Sequence, residues 1–121
     1  MLIEKLDTIF SVCKVKDYSL VDFTKNFIFI SKTDEENSLV CPKELIPPNI
    51  TEVEHNWRAF RINGILDFSL IGILSKITSL LAENSIPVFA VSTFNTDYVL
   101  VNEDKFEKAL TVLSNNGFSI K

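Results

Sequence analysis

Residues able to do chemistry are sparse in this chain. It holds one histidine, one tryptophan, two cysteines and three glycines in 121 residues. His55 has no cysteine or carboxylate neighbours at a recognised metal-ligand spacing, so no metal centre can be built on it and an exposed linker histidine is expected. Cys13 and Cys41 are too few for a disulfide framework. They could face each other from adjacent strands, but buried free thiols of a reducing compartment are the favoured reading. Asp34, Glu35 and Glu36 form an acidic run that reads as a solvated hairpin tip, since acid–base work would need a cleft and shifted pKa values. Asp67 and Ser69 stand just ahead of an apolar-periodic segment, where a side-chain oxygen can cap free backbone N–H groups. No glycine-rich phosphate loop is present. The inventory suits a small binding module better than an enzyme, and no cofactor is expected.

The elements that must position these residues follow from periodicity. In 69–85, apolar residues at 70, 73, 74, 77, 80 and 81 describe a helix with one buried face, and Pro87 bars its extension. A second helix fits 103–116, with Phe106, Ala109, Leu110 and Leu113 on one face, acids in the first turn and Gly117 as its C-terminal cap. β-Branched and aromatic enrichment marks strands at 8–15, 27–32, 37–41, 57–66, 87–93, 96–102 and 118–120. Residues 17–26 are a loop or one short helical turn. Residues 42–54 hold three of the four prolines and read as a connection between two halves. The second half runs strand, helix, strand, strand, helix, strand, which predicts a four-stranded antiparallel sheet with both helices on one face. Laying 29–40 over 90–101 without a gap puts Ser31 on Ser92, Leu39 on Leu100 and Val40 on Val101, so the first half looks like a trimmed copy of the second, with most of its first helix missing.

Composition bounds the rest. Hydrophobic residues are 46% and charged residues 23%, enough for a packed core and against disorder. A net charge of −4 argues against a duplex nucleic-acid partner, and the lack of any basic cluster argues against an anionic membrane surface. No apolar run reaches the length of a spanning helix, and the start MLIEKLDTIF carries acids and no small-residue cleavage site. A cytoplasmic location is expected. The proline-bearing stretch divides the chain into 1–54 and 55–121, each near the lower size limit for independent folding, so the halves should share a sheet or core.

Three segments carry a resemblance: GILDFSLIGILSKI (64–77), SIPVFAVSTFNTDYVLV (85–101) and the earlier YSLVDF and SKTDEENSLVCPKELIP stretches. Together they resemble the small double-ACT-domain proteins, relatives of the regulatory ACT domains of aspartokinases and of the CASTOR arginine sensors. The resemblance spans nearly the whole chain and is strongest over 57–117. It implies an α+β fold of tandem ferredoxin-like βαββαβ units, the first one trimmed. It further implies a regulatory, non-catalytic module that binds a free amino acid at an interface between ACT units, or that only mediates assembly. A homodimer and a partner enzyme met in trans follow from the same source.

The resemblance also places the ligand. One wall is the loop from first strand to first helix: Asp67, Phe68, Ser69, Leu70, Ile71 and Gly72. The other is the second strand and its hairpin: Ser92, Thr93, Phe94, Asn95, Thr96 and Asp97. The chemistry is suitable. A buried amino acid needs carbonyls or a carboxylate for its ammonium group and N–H donors for its carboxylate. A helix start preceded by an aspartate offers both. The plainer reading of Asp67 is a helix cap, and that of Gly72 a close helix–sheet contact inside the helix. Asp97 could read a basic side chain or simply bond its own turn. Phe94 and Tyr98 are expected to pack, and Trp57 to lie in the core or cover a seam between the halves.

Overall fold

The computed structural model describes residues 2–63 and 72–121. Its elements are β1 (Leu2–Val15), β2 (Phe29–Lys32), β3 (Asn37–Pro42), β4 (Ile50–Ile62), α1 (Ile73–Glu83), β5 (Phe89–Ser92), β6 (Asp97–Asn102), α2 (Phe106–Asn115) and β7 (Ser119–Ile120). Single 3-10 turns at Lys43–Leu45 and Glu103–Lys105 follow β3 and β6. Each expected strand and helix has a counterpart among the described residues, with shifted bounds, of which three bear on the site and the ladder. β1 begins six residues earlier than its hydrophobic run suggests, because its first residues pair with β7. β4 begins at Ile50, inside the stretch taken for a connection, because ITEVEHN is free of proline and can extend the ladder. The first helix starts at Ile73, so Gly72 is its N-cap and not an interior residue. No described helix is long and apolar enough to cross a membrane.

The chain divides into two compact units: Met1–Asp7 with Arg58–Lys121, and Thr8–Trp57. The long strands β1 and β4 contribute residues to both.

In the larger unit the strand order is β7-β1-β4-β6-β5, with β7 parallel to β1 (Leu2↔Ser119, Ile3↔Ile120) and β5 antiparallel to β6. Its core joins Phe60 and Ile62 of β4, Val99 and Val101 of β6, Ile77 and Leu81 of α1, and Phe106, Ala109 and Leu113 of α2. The i, i+3, i+4 apolar spacing of each helix thus meets the alternating inward residues of the strands. Both helices end in the same way. Ser85 is left-handed (φ 59) and donates to Ala82 O, while Ile86 N–H reaches back to Leu81 O at 2.9 Å. Gly117 (φ 92) donates to Ser114 O, and Phe118 N–H to Leu113 O at 3.1 Å. These are Schellman motifs, and each covers its closing turn with a buried apolar residue, Ile86 or Phe118. Pro87 then prevents further helix after Ile86.

The smaller unit has the order β2-β3-β1-β4, with β1 and β3 antiparallel through Ser11↔Cys41 and Cys13↔Leu39. Its core is Cys13, Val15, Leu39 and Cys41, against which Tyr18, Val21, Ile28, Ile46, Ile50 and Val53 pack. Residues 16–28 lie over this core as turns and contain no helix. Aspartates shape the turns: Asp17 accepts from Ser19 and Asn49, and Asp22 from Thr24. Tyr18 OH donates to Ser38 O at 2.9 Å. Asn56, in β4, is left-handed (φ 66), a conformation asparagine tolerates better than a β-branched residue would.

The two hairpins repeat each other, but in a different register from the one the sequence suggests. Pairing runs Phe29↔Val40 to Lys32↔Asn37 in one and Phe89↔Leu100 to Ser92↔Asp97 in the other. Ser92 therefore corresponds to Lys32, not Ser31. The identities that favoured the other alignment are accidental, and a one-residue slip would have turned every side chain to the opposite face. A threonine opens both turns: Thr33 N–H donates to Glu36 O at 3.0 Å, and Thr93 N–H to Thr96 O at 2.8 Å.

Candidate functional site

The β5–β6 hairpin is held in place by its own polar residues. Thr93 Oγ1 donates to Thr96 O at 3.0 Å and accepts from Thr96 N–H at 3.3 Å. Thr96 is buried, and its hydroxyl donates to the Ile62 carbonyl at 2.7 Å. That bond joins the hairpin tip to the last residue of β4, where the chain leaves toward α1. Ser92 Oγ donates to Asp97 Oδ1 across the hairpin at 2.5 Å. Asp97 is thus the first residue of β6, engaged with the opposite strand and not with its own turn. Asn95 is exposed at the tip. Phe94, expected to pack, is 82% exposed. The tip's backbone shape is set by threonine hydrogen bonds, so its central side chains are not needed in the core.

The opposite wall is described only at its end. Asp67, Phe68, Ser69, Leu70 and Ile71 lie outside the described residues. Gly72 is exposed and left-handed (φ 82), and it caps α1 without any side-chain bond. Its carbonyl accepts from Lys76 N–H at 2.8 Å, the first bond of the helix. Among the described residues the N–H groups of Ile73, Leu74 and Ser75, in the first turn, have no intrahelical acceptor, and the positive end of the helix dipole lies there. A Cβ added at Gly72 would meet no described atom within 4 Å. Backbone conformation, and not a tight helix–sheet contact, is what calls for glycine here.

Behind the hairpin, the sheet carries a charged network that sequence reading missed. Arg61 of β4 donates to Glu4 Oε1 of β1 at 2.7 Å and to Tyr98 OH of β6 at 3.1 Å. The hydrogen bond to Tyr98, then that to Glu4, holds the guanidinium even more firmly in its charged form. Arg58 donates to the Leu6 carbonyl at 2.9 Å and lies 4.4 Å over the Phe106 ring. Alternation along β4 could have shown that Arg58 and Arg61 flank a core strand, but their partners required the strand order.

His55 lies in β4, not in a linker, and shares a hydrogen bond of 3.1 Å with the buried hydroxyl of Ser11. Cys13 and Cys41 are both free and buried. Trp57 is half-buried in β4. Among the described residues no group of three or more histidine, cysteine or acidic side chains could hold a metal ion.

Comparison with known proteins supplies the family. A family model described as the ACT domain matches residues 52–115, more than half of the chain. No curated protein matches. A structural-genomics protein of Agobacterium tumefaciens is 30% identical, with a TM-score of 0.87 over 99% of this chain and 91% of its own. A Vibrio cholerae protein of unknown function is 17% identical, with a TM-score of 0.71 over 92% of this chain and 85% of its own. The ligand-free regulatory subunit of aspartate kinase from Thermus thermophilus shares the fold at 9% identity, with a TM-score of 0.64 over 93% of this chain and 95% of its own. The strand–helix order, the antiparallel hairpins and the matched segment agree: the chain belongs to the ACT domain family.

Proposed function

We propose that this chain is a tandem ACT module that binds a free amino acid at an interface between ACT units and regulates a partner enzyme met in trans. The observation that carries the reading is the Thr96–Ile62 bond, which pins the hairpin where β4 gives way to the segment leading into α1. In this reading the N–H groups at the start of α1 receive a carboxylate, and Asp97 with the 92–96 backbone carbonyls an ammonium group. Asp67, Phe68, Ser69 and Leu70 complete the first wall in this reading, and Ser92, Thr93, Asn95 and Thr96 the second. The module acts as a homodimer in the cytoplasm, without nucleic acid or membrane as partner. Tandem duplication is supported by the matching hairpins, each followed by a 3-10 turn. Ligand binding raises apparent stability by mass action. A thermal-shift screen against the proteinogenic amino acids at millimolar concentration should return at least one hit that is weakened by Asp97→Asn, and an empty screen removes the reading.

One observation favours a second reading. The hydroxyls of Ser92, Thr93 and Thr96 all donate to partners within the protein. A hairpin satisfied in this way can serve a ligand-free interaction module that assembles through its edge strands. A stable dimer by light scattering, together with an empty amino-acid screen, would select it.

A further inference from the structure

The smaller unit buries two thiols side by side, and nothing in amino-acid binding uses them. Cys13 of β1 stands opposite Leu39, and Cys41 of β3 opposite Ser11. Ser11 and Cys13 are two apart on one strand, so Cys13 and Cys41 project from the same face as diagonal neighbours. Both belong to one buried cluster with Val15 and Leu39, so the diagonal places the two thiols within the same packed core. Cys13 is 3% exposed and Cys41 not at all. Their cover is unusual for the fold. In the larger unit the corresponding sheet residues lie under α1 and α2. Here they lie under Tyr18, Val21 and Ile28 of a turn segment with no helix. Such a segment opens locally at far lower cost than a packed helix, which gives the thiols a route to solvent.

We propose that Cys13 and Cys41 form a reversible dithiol–disulfide site, oxidised within one chain by a low-molecular-weight disulfide of the glutathione class. The reaction is balanced by two exchanges. The Cys13 thiolate attacks one sulfur of the oxidant and forms a mixed disulfide, and the first small thiolate leaves. The Cys41 thiolate then attacks the Cys13 sulfur, forms the internal S–S bond and expels the second small thiolate. The two protons lost by the cysteines end on the two small thiols, and the two electrons reduce the oxidant. The order of attack follows from the directions in which the two thiols are shifted. The neighbouring Cys41 thiol lowers the Cys13 pKa, whereas Cys13 and burial push the Cys41 thiol up. The bridge would fasten β1 to β3 beneath the turn segment.

The test uses the full-length chain, reduced and then equilibrated in buffers of graded reduced-to-oxidised glutathione ratio. Acid quenching, alkylation and intact-mass measurement read the result. Both thiols should vanish together from the alkylatable pool, with a mass loss of about 2 Da. The midpoint should not move on tenfold dilution of the protein, and dithiothreitol should restore both thiols. Cys41→Ser should halt at a glutathione adduct on Cys13, and Cys13→Ser should leave Cys41 unmodified. The proposal is overturned if both thiols stay alkylatable at the most oxidising ratio. It is equally overturned if the product is a disulfide-linked dimer or an unresolved glutathione adduct, or if the internal bridge forms only in denaturant.

Discussion

Replacing Thr96 by valine removes one hydroxyl and keeps the shape. In the structure that hydroxyl donates to the Ile62 carbonyl at 2.7 Å from a side chain only 8% exposed. A buried hydrogen bond contributes about 1 kcal/mol net, and leaving its acceptor without this donor adds about 1–2 kcal/mol. The extra buried methyl returns about 0.8 kcal/mol. Thr96→Val should therefore destabilise the protein by about 1–2 kcal/mol, a fall in Tm of roughly 5–10 °C for a domain of this size. Thr96→Ser keeps the donor and should lose only the methyl contact, about 0.5–1 kcal/mol. Urea unfolding followed by circular dichroism gives both values, and an unchanged m-value certifies that stability and not compactness moved. Amide exchange at the 93–96 turn should accelerate in the valine variant alone. If Thr96→Val is as stable as the parent while Thr96→Ser is weaker, the methyl and not the hydroxyl anchors the hairpin. The Thr96–Ile62 hydrogen bond would then not be what holds the tip beside β4.

Four further outcomes follow from the same geometry. Ser85→Gly should stabilise the chain by about 0.5–1 kcal/mol in urea unfolding, since a non-glycine residue there holds φ at 59. Gly72→Ala should cost about 1 kcal/mol by the same assay despite open space around it, because the cap is left-handed. Phe106→Ala should cost about 3–5 kcal/mol, as its ring is 1% exposed within the larger core and lies beneath Arg58; calorimetry would show the loss. Asp17 and Asp22 have pKa values lowered mainly by hydrogen bonds from Ser19 and Thr24, side chain first and backbone second. A depressed folded-state pKa gives stability that is present above the unfolded carboxylate value and is lost as pH falls through the folded one. Melting curves from about pH 5 downward should therefore show a flatter acid limb in an Asp17→Asn, Asp22→Asn double variant than in the parent.

The elements were legible because each carries a strong local signal. The stripe Ile73, Leu74, Ile77 and Leu81 reads as a helix without tertiary help, and FAVS and DYVLV read as strands. Boundaries failed where pairing, not propensity, sets them. Ile50 to Glu54 join β4 only because β1 lies alongside, as the Lys16–Asn49 backbone bond at its start shows. The hairpin repeat was visible, but its register was hidden by chance identities at Ser31 and Ser92. The matching threonines 33 and 93 were the better guide, since they carry the turn's hydrogen bonds. Of the candidate site, the hairpin could be read from its polar run, but the uses of its hydroxyls could not. The bond of Ser11 with His55 and the shared buried cluster of Cys13 and Cys41 join residues 44 and 28 positions apart, and only the strand order brings such residues together.

The paired turns have an evolutionary consequence. Each is closed by a threonine and by backbone groups, and none of these bonds uses the side chains of the two central positions, Asp34 and Glu35 in one and Phe94 and Asn95 in the other. One tip is anionic and the other aromatic and amide-bearing, on the same backbone scaffold. Substitution at these four positions leaves in place the threonine bonds that close both turns. Lineages of this domain can therefore retune what their surface presents while the framework beneath stays constant.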